Sequence, residues 1–360
     1  MTRSNAPARS KFPSSAASGL AVLLLSLAAA TACAQGVVPP QGAHTRVPVE
    51  KSAASMAAAY AEKQMQRLDQ LGDRDSLIAA ALIGLPNDDS AKPAKGHAQV
   101  VQHLLEKFPT DPLALYTAAL ICQAQAQPCA KSKLQARLIA IAPDNAIHHL
   151  VAANSGKPSP AQVHLAAAAG QADSHFTALL GIVRTALANQ PLPAGSEALD
   201  RGNQLGLLLR QTEVNSVPWP KLGPTTQTCN VKLAAKPEEN PALHADCLAL
   251  GLALFSDQGQ SMVVRSFGGS LLRRFAPGTQ AAADAEAFRR QYVWLSEAPD
   301  AATTAEKEQI NIDEIQYGEW EAFQRHAERA GMKRDPAADW VPKNPDLLLL
   351  PEARSKADVQ

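Results

Sequence analysis

The chain has 360 residues, carries 34 basic against 34 acidic residues, and is 46% hydrophobic but only 4% aromatic. That length accommodates one large domain or two ordinary ones. A charge balance of this kind lacks the basic footprint of a nucleic-acid-binding protein and the polybasic cluster that draws a chain to anionic lipid.

Residues 11–36 read KFPSSAASGLAVLLLSLAAATACAQG. Arg3, Arg9 and Lys11 precede an apolar run over 20–30, and small residues surround Cys33. This is the layout of a secretory signal peptide. The run is about half of the roughly 20 residues that a membrane-spanning helix needs. Residues 1–34 are therefore expected to direct export, which makes the chain periplasmic or secreted. Three cleavage patterns overlap. Ala32-Cys33-Ala34 has the A-x-A form that leaves Gln35 first. Ala30-Thr31-Ala32-Cys33 resembles a bacterial lipobox, with Ala30 where Leu is usual, and would make Cys33 the lipidated N-terminus of an outer-membrane lipoprotein. Ala30-Thr31-Ala32 is a third site, which leaves Cys33 unlipidated. Residues 1–34 hold three of the 34 basic residues and no acid, so 31 Lys plus Arg then face 34 Asp plus Glu, a balance of about −3.

Residues 35–50 (QGVVPPQGAHTRVPVE) read as a flexible leader rich in Pro and Gly. Residues 51–71 carry a rough apolar stripe of Met56, Ala59, Tyr60, Met65, Leu68 and Leu71, and predict a helix stopped by Gly72. Paired helical segments follow. SLIAAALIG from Ser76 precedes GHAQVVQHLLEK. LALYTAALICQ from Leu113 precedes KSKLQARLIAIA. IHHLVAANS from Ile147 precedes PAQVHLAAAAG, and FTALLGIVRTALAN starts at Phe176. The first helices begin near 77, 113, 147 and 176, while Pro109 and Pro143 each close a second helix.

Two helices per unit at a period near 34, each unit closed by proline, is the pattern of helix-turn-helix solenoids. Ala142-Pro143-Asp144-Asn145 matches the P-D-N junction between such repeats, and Thr110-Asp111-Pro112 holds the equivalent place one unit earlier. On these residues, 75–189 resembles the tetratricopeptide or Sel1-like repeat class. The aromatic of the first helix is replaced by Leu115 and His149, and the usual Gly-Tyr pair is missing. The resemblance implies stacked antiparallel hairpins whose curved surface takes a protein or peptide. Contact residues would come from first helices: Leu115, Tyr116, His148 and His149. An irregular helical bundle is the other arrangement open to this pattern.

Five cysteines occur: Cys33, Cys122, Cys129, Cys229 and Cys247. Cleaving off or lipidating Cys33 leaves four in an oxidising compartment, which reads as two disulfides. The local pairing, Cys122–Cys129 and Cys229–Cys247, is the most economical. Its loops would contribute about 2.5 and about 3 kcal/mol. Neither pair has zinc-site spacing, and no His-x-His or H-E-x-x-H accompanies them.

Residues 191–196 break the pattern and mark a boundary between a helical repeat region at 51–190 and a C-terminal helical region at 196–335. Beyond it, helices are predicted at 197–211, from Pro241, from Ser261, at 281–296 and at 305–330, with a loop at 215–240. A Pro-rich tail covers 336–360, with Leu347, Leu348, Leu349 and Leu350 expected to dock on the helical body. No segment alternates with period two, so the predicted class is all-α without a sheet.

Candidate chemistry is sparse. His97, His103, His148, His149, His164 and His175 fall among the repeats and read as partly exposed or capping residues, since adjacent His148 and His149 point about 100° apart on a helix. Asp88-Asp89 and Glu238-Glu239 sit in loops. Asp313, Glu314, Glu319, Glu321 and Glu328 fall on the polar side of the last predicted helix. Gly268-Gly269-Ser270 lacks the strand and Lys of a phosphate loop, and no nucleophile elbow is present. The sequence assigns no catalytic, metal or cofactor residue. It suggests an exported, non-enzymatic helical-repeat protein that acts in the cell envelope as a scaffold binding protein or peptide. Its alternatives are an envelope hydrolase using two carboxylates of the C-terminal half on murein or glycan, and a small-ligand binder with a pocket between the halves.

Overall fold

The computed structural model describes residues 49–85, 93–124, 131–151, 158–188, 190–191, 217–297 and 303–354. The expected signal peptide with Cys33, nearly all of the leader, Asp88-Asp89, Cys129, most of the 191–196 boundary and the helix at 197–211 lie outside them. The described residues are mostly helical and contain no strand, as expected for an all-α chain. An isolated bridge joins Asn145 and Gln171.

Among the described residues, eight helices precede residue 190: α1 Val49–Leu71, α2 Arg74–Ile83, α3 His97–Lys107, α4 Pro112–Ala124, α5 Lys131–Ile141, α6 Ala146–Val151, α7 Pro160–Ala168 and α8 Phe176–Leu187. Seven follow residue 217: α9 Thr225–Thr228, α10 Val231–Ala235, α11 Pro241–Phe255, α12 Met262–Phe275, α13 Gln280–Glu297, α14 Thr304–Tyr317 and α15 Glu319–Arg329. All lie within Thr45–Leu348. Residues 349–354 belong to a separate unit that carries a 3-10 turn, Pro351–Ala353.

The helix starts follow their capping chemistry. Asp73 accepts from the Ser76 amide ahead of α2, and Asn240 accepts from Leu243 N ahead of Pro241. Ser159–Gln162 and Thr303–Glu306 form reciprocal capping boxes.

α2, α4 and α6 are buried on every side. Residues 77–83, 114–122 and 146–151 are all buried, so α2 and most of α4 show apolar runs instead of an amphipathic stripe, while α6 buries His148 and His149 as well. α2 packs on α4 and α4 on α6, while α3, α5 and α7 pair with the helices they follow. The succession then changes. The main partners of α8 are α2 and α14, whereas α6 and α7 pack on α11. α8 thus turns back onto the first hairpin.

The structure corrects several sequence readings. The loop expected at 215–240 contains α9 and α10 and a 3-10 turn, Pro237–Glu239. The single helix expected at 305–330 is two helices. They break at Gly318, whose φ of 86° is a conformation that side chains with a Cβ disfavour. Leu115, Tyr116, His148 and His149, expected to contact a partner, are at most 4% exposed. They form core because their helices are enclosed by neighbours on all faces.

Gly268 has a packing role: a Cβ there would sit 2.3 Å from the Phe255 amide nitrogen and 2.7 Å from the Leu254 carbonyl carbon. The α11–α12 hairpin closes through this contact. Cys229 and Cys247, both fully buried, form the expected disulfide and tie the end of α9 to α11. Cys122 is disulfide-bonded too. Leu347 and Leu348 accept hydrogen bonds through their carbonyls from Arg289 and Arg273.

Candidate functional site

Two features stand out: an open groove and a buried polar seam. The groove, about 620 Å³, is bordered by α1, the start of α2, and α8. This falls within the usual range for ligand pockets. Leu68 and Leu71 of α1 and Ile182 and Ala186 of α8 are among its lining residues. Gly181 lies along it, with open space where a Cβ would be. Arg67 spans the gap. Its guanidinium donates to Ala186 O at 2.8 Å and to Gln64 Oε1 at 2.8 Å. Asp73 and Asp75 contribute acidic groups to the lining. The Asp73 carboxyl is held below its usual range, first by its hydrogen bonds with Ser76. Leu71 is 59% exposed.

The seam joins the loops that lead into α6, α8, α12 and α15. Ala146 N donates to Gln171 O at 2.8 Å, Gln258 N to Ala172 O at 2.9 Å, and Thr177 Oγ1 to Gly259 O at 3.0 Å. Met262 N donates to Glu319 Oε2 at 3.1 Å. Asn145 is fully used. Its amide donates to Asp173 O and faces His148 Nε2 at 3.0 Å, while its oxygen accepts from Ile147 N and Asp173 N. Asp257 accepts from Ser174 N and Oγ, both at 2.7 Å, and from Ser261 N at 2.9 Å.

Three rings meet within this seam. Tyr116 lies 5.3 Å from His148 and 5.1 Å from His175, centroid to centroid, and the two imidazoles are 5.5 Å apart. Hence His148 and His175 do converge, through tertiary contact between α6 and the start of α8. His148 Nδ1 lies 3.1 Å from Ala142 O, so that nitrogen carries the proton and Nε2 accepts from Asn145. His175 Nδ1 pairs with Asp173 Oδ2 at 3.0 Å, and its Nε2 lies 3.4 Å from His148 Nε2.

The electrostatics follow from burial. Burial pushes the His148 pKa down to about 4, assisted by the charge of His175 and opposed by the Ala142 carbonyl. Burial also works to raise the Asp173 pKa, but the hydrogen bonds and charge of His175 outweigh it and the net shift is downward. For Asp257 burial prevails over its hydrogen bonds, and the pKa rises. Tyr116 is raised by burial and by the charges of Asp257 and Asp173. Its hydroxyl has no hydrogen-bond partner among the described residues.

No family model, curated protein or solved structure matches this chain.

Asp173 and His175 form a carboxylate–imidazole pair of the kind that orients a catalytic base. The outer nitrogen of this pair meets another imidazole, however, and Ser174 Oγ is committed to Asp257. Among the described residues no hydroxyl or thiol is hydrogen-bonded to the His175 ring, whose nitrogens meet Asp173 and His148. Among these residues no group of three or more His, Cys, Asp or Glu is placed to hold a metal ion, and no helix is long and apolar enough to cross a membrane.

The C-terminal carboxylates are engaged elsewhere. Asp313 pairs with Arg329 at 2.6 Å, Glu321 with Arg325 at 3.1 Å, and Glu319 caps α12. Asp313, Glu314 and Glu319 are buried rather than on a solvated face, because α15 folds back against α14. Among the histidines, His97 is buried on Ala81 O, His164 is exposed beside Asp246, and His175 precedes α8 in a left-handed conformation. Glu239, in the 3-10 turn Pro237–Glu239, is exposed and pairs with Lys236. Sequence reading missed both the groove and the ring cluster. A local sign of the seam exists: Asp111, Asn145 and Asp173 each stand just ahead of a first helix and accept from a nearby amide.

Proposed function

We propose that this chain is an exported, non-enzymatic helical-repeat protein of the cell envelope, acting as a scaffold that takes a protein or peptide segment in the groove between α1 and α8. The observation that carries the reading is the groove itself: apolar walls, an open centre at Gly181 and a charged rim. This combination suits a segment that inserts apolar side chains and leaves its backbone near polar partners. The successive packing of α2, α4 and α6 supports a tetratricopeptide-like register for the first three hairpins. The return of α8, the fourth of the first helices, to α2 moves the binding surface off the buried Leu115, Tyr116, His148 and His149 and onto α1 and α8. The engagement of the seam and of the C-terminal carboxylates in capping and pairing supports a binding role over hydrolysis.

The test places a photo-crosslinking side chain at Ile182 of the full chain in its native envelope. The expected result is a covalent adduct with a discrete polypeptide that disappears when Gly181→Trp fills the groove. An adduct that survives Gly181→Trp, with the fold intact by circular dichroism, would remove the groove from the proposal. Intact mass of the same preparation tests export and anchoring. A chain beginning at Gln35 is a free exported protein, and a lipid adduct on Cys33 is an anchored one. A chain that retains residues 1–34 overturns export.

A further inference from the structure

Arg265 lies in the first turns of α12, where rings from three other elements converge. Its Cζ is 4.6 Å from the Phe288 ring centroid on α13, 5.8 Å from Trp320 on α15 and 5.9 Å from Phe255 on α11. The rings brace one another, with Phe288 4.9 Å from Trp320 and 5.6 Å from Phe255. The guanidinium is therefore held by tertiary packing, and cation–π attraction favours its charged form in place.

Its polar edge is unused. Among the described residues it makes one hydrogen bond, from Nε to Phe255 O at 3.4 Å, and no carboxylate lies within ion-pair distance. A guanidinium has five N–H donors, so the four on Nη1 and Nη2 have no acceptor there. Other arginines of the C-terminal half are served: Arg273 has Glu286, Arg325 has Glu321, Arg329 has Asp313, and Arg290 has three carbonyls. Arg265 is also half-buried, and burial lowers its pKa while the charge of Asp257 opposes that. A half-buried cation without an ion-pair partner, fixed in orientation with its donor fork free, is preorganised for a bidentate oxyanion.

We propose that Arg265 anchors a site for a ligand carboxylate, received on Nη1 and Nη2 while Phe255, Phe288 and Trp320 fix the guanidinium. Carboxylate is favoured over phosphate because Asp257 already places negative charge within reach of Arg265, and its repulsion weighs more on a dianion. The site lies apart from the α1–α8 groove and does not depend on the reading of that groove.

The experiment is a fluorine NMR titration of the full chain carrying 5-fluorotryptophan, with the Trp320 resonance assigned through Trp320→Phe. Sodium acetate is the probe, with sodium chloride at matched ionic strength as control and inorganic phosphate as competitor. Acetate should move the Trp320 resonance saturably. Arg265→Gln should abolish the response, and Arg265→Lys, which keeps the charge and loses the fork, should weaken it at least tenfold. An acetate response no larger than that of chloride overturns the proposal on the wild-type chain alone, whether or not the variants fold. A response retained in folded Arg265→Gln, or phosphate binding more tightly than acetate, overturns it as well.

Discussion

The first three hairpins and the α11–α15 region are built from different materials. In the first, small and aliphatic side chains enclose α2, α4 and α6, and buried polar groups concentrate at the loop seam, with His97 on Ala81 O and Thr117 on Leu113 O apart from it. In the second, aromatic rings surround a half-buried arginine, and buried carboxylates cap or pair. Alanine-rich helices approach closely and gain stability from many small contacts. The aromatic region gains it from a few large side chains, and spends charge on fixing their positions. Side-chain volume therefore matters most in the first region and side-chain partners in the second.

The largest expected effect breaks the aliphatic side of that contrast. Leu120→Ala, at a 1% exposed site in α4, should cost about 2–5 kcal/mol through lost transfer energy and a cavity. Urea denaturation of the full chain reads it, and a loss below about 1 kcal/mol means that α4 collapses onto the space.

Next comes the seam. His148 is faced by Tyr116 from α4, by Asn145, by Asp173 and His175 from the loop into α8, and by His149 beside it. Its folded pKa of about 4 lies below the ordinary value of 6.5. Stability is then fully present above about pH 6.5, is lost as pH falls toward 4, and levels off below that, for a total of about 3 kcal/mol. His148→Gln should flatten this part of the stability–pH curve. An unchanged curve would place the acid sensitivity in the carboxylates.

Gly268→Ala sharpens the comparison from the aromatic side. The added Cβ meets α11 backbone, which cannot rotate away as a flexible side chain can. A cost of about 1–3 kcal/mol is expected from overpacking, seen as a lower urea midpoint. The smallest effect is expected at the groove. Leu71→Ser, at a 59% exposed site, should change stability by less than about 0.5 kcal/mol and still reduce crosslinking at Ile182.

Much of the fold was legible locally. Asp73, Ser159, Asn240 and Thr303 announce helix starts because capping is satisfied within four residues. The Cys229–Cys247 pair was readable because its loop is short. The two-helix nature of 305–330 was not, since a glycine inside a helical pattern signals a break only when the helices on either side have something to pack on. Asp313 and Glu319 look solvated in a polar stretch and are buried because Arg329 and the start of α12 provide partners.

By itself, then, the sequence determined the helical class, the hairpin spacing of the first half and one disulfide, all of which rest on periodicity and near-neighbour chemistry. Only the tertiary structure decided that α8 returns to α2 and opens a groove, that His148 meets His175 across a loop seam, and that Arg265 stands among three rings. Each of these joins residues from separate helices, and their contact depends on how whole helices pack, which no local pattern encodes.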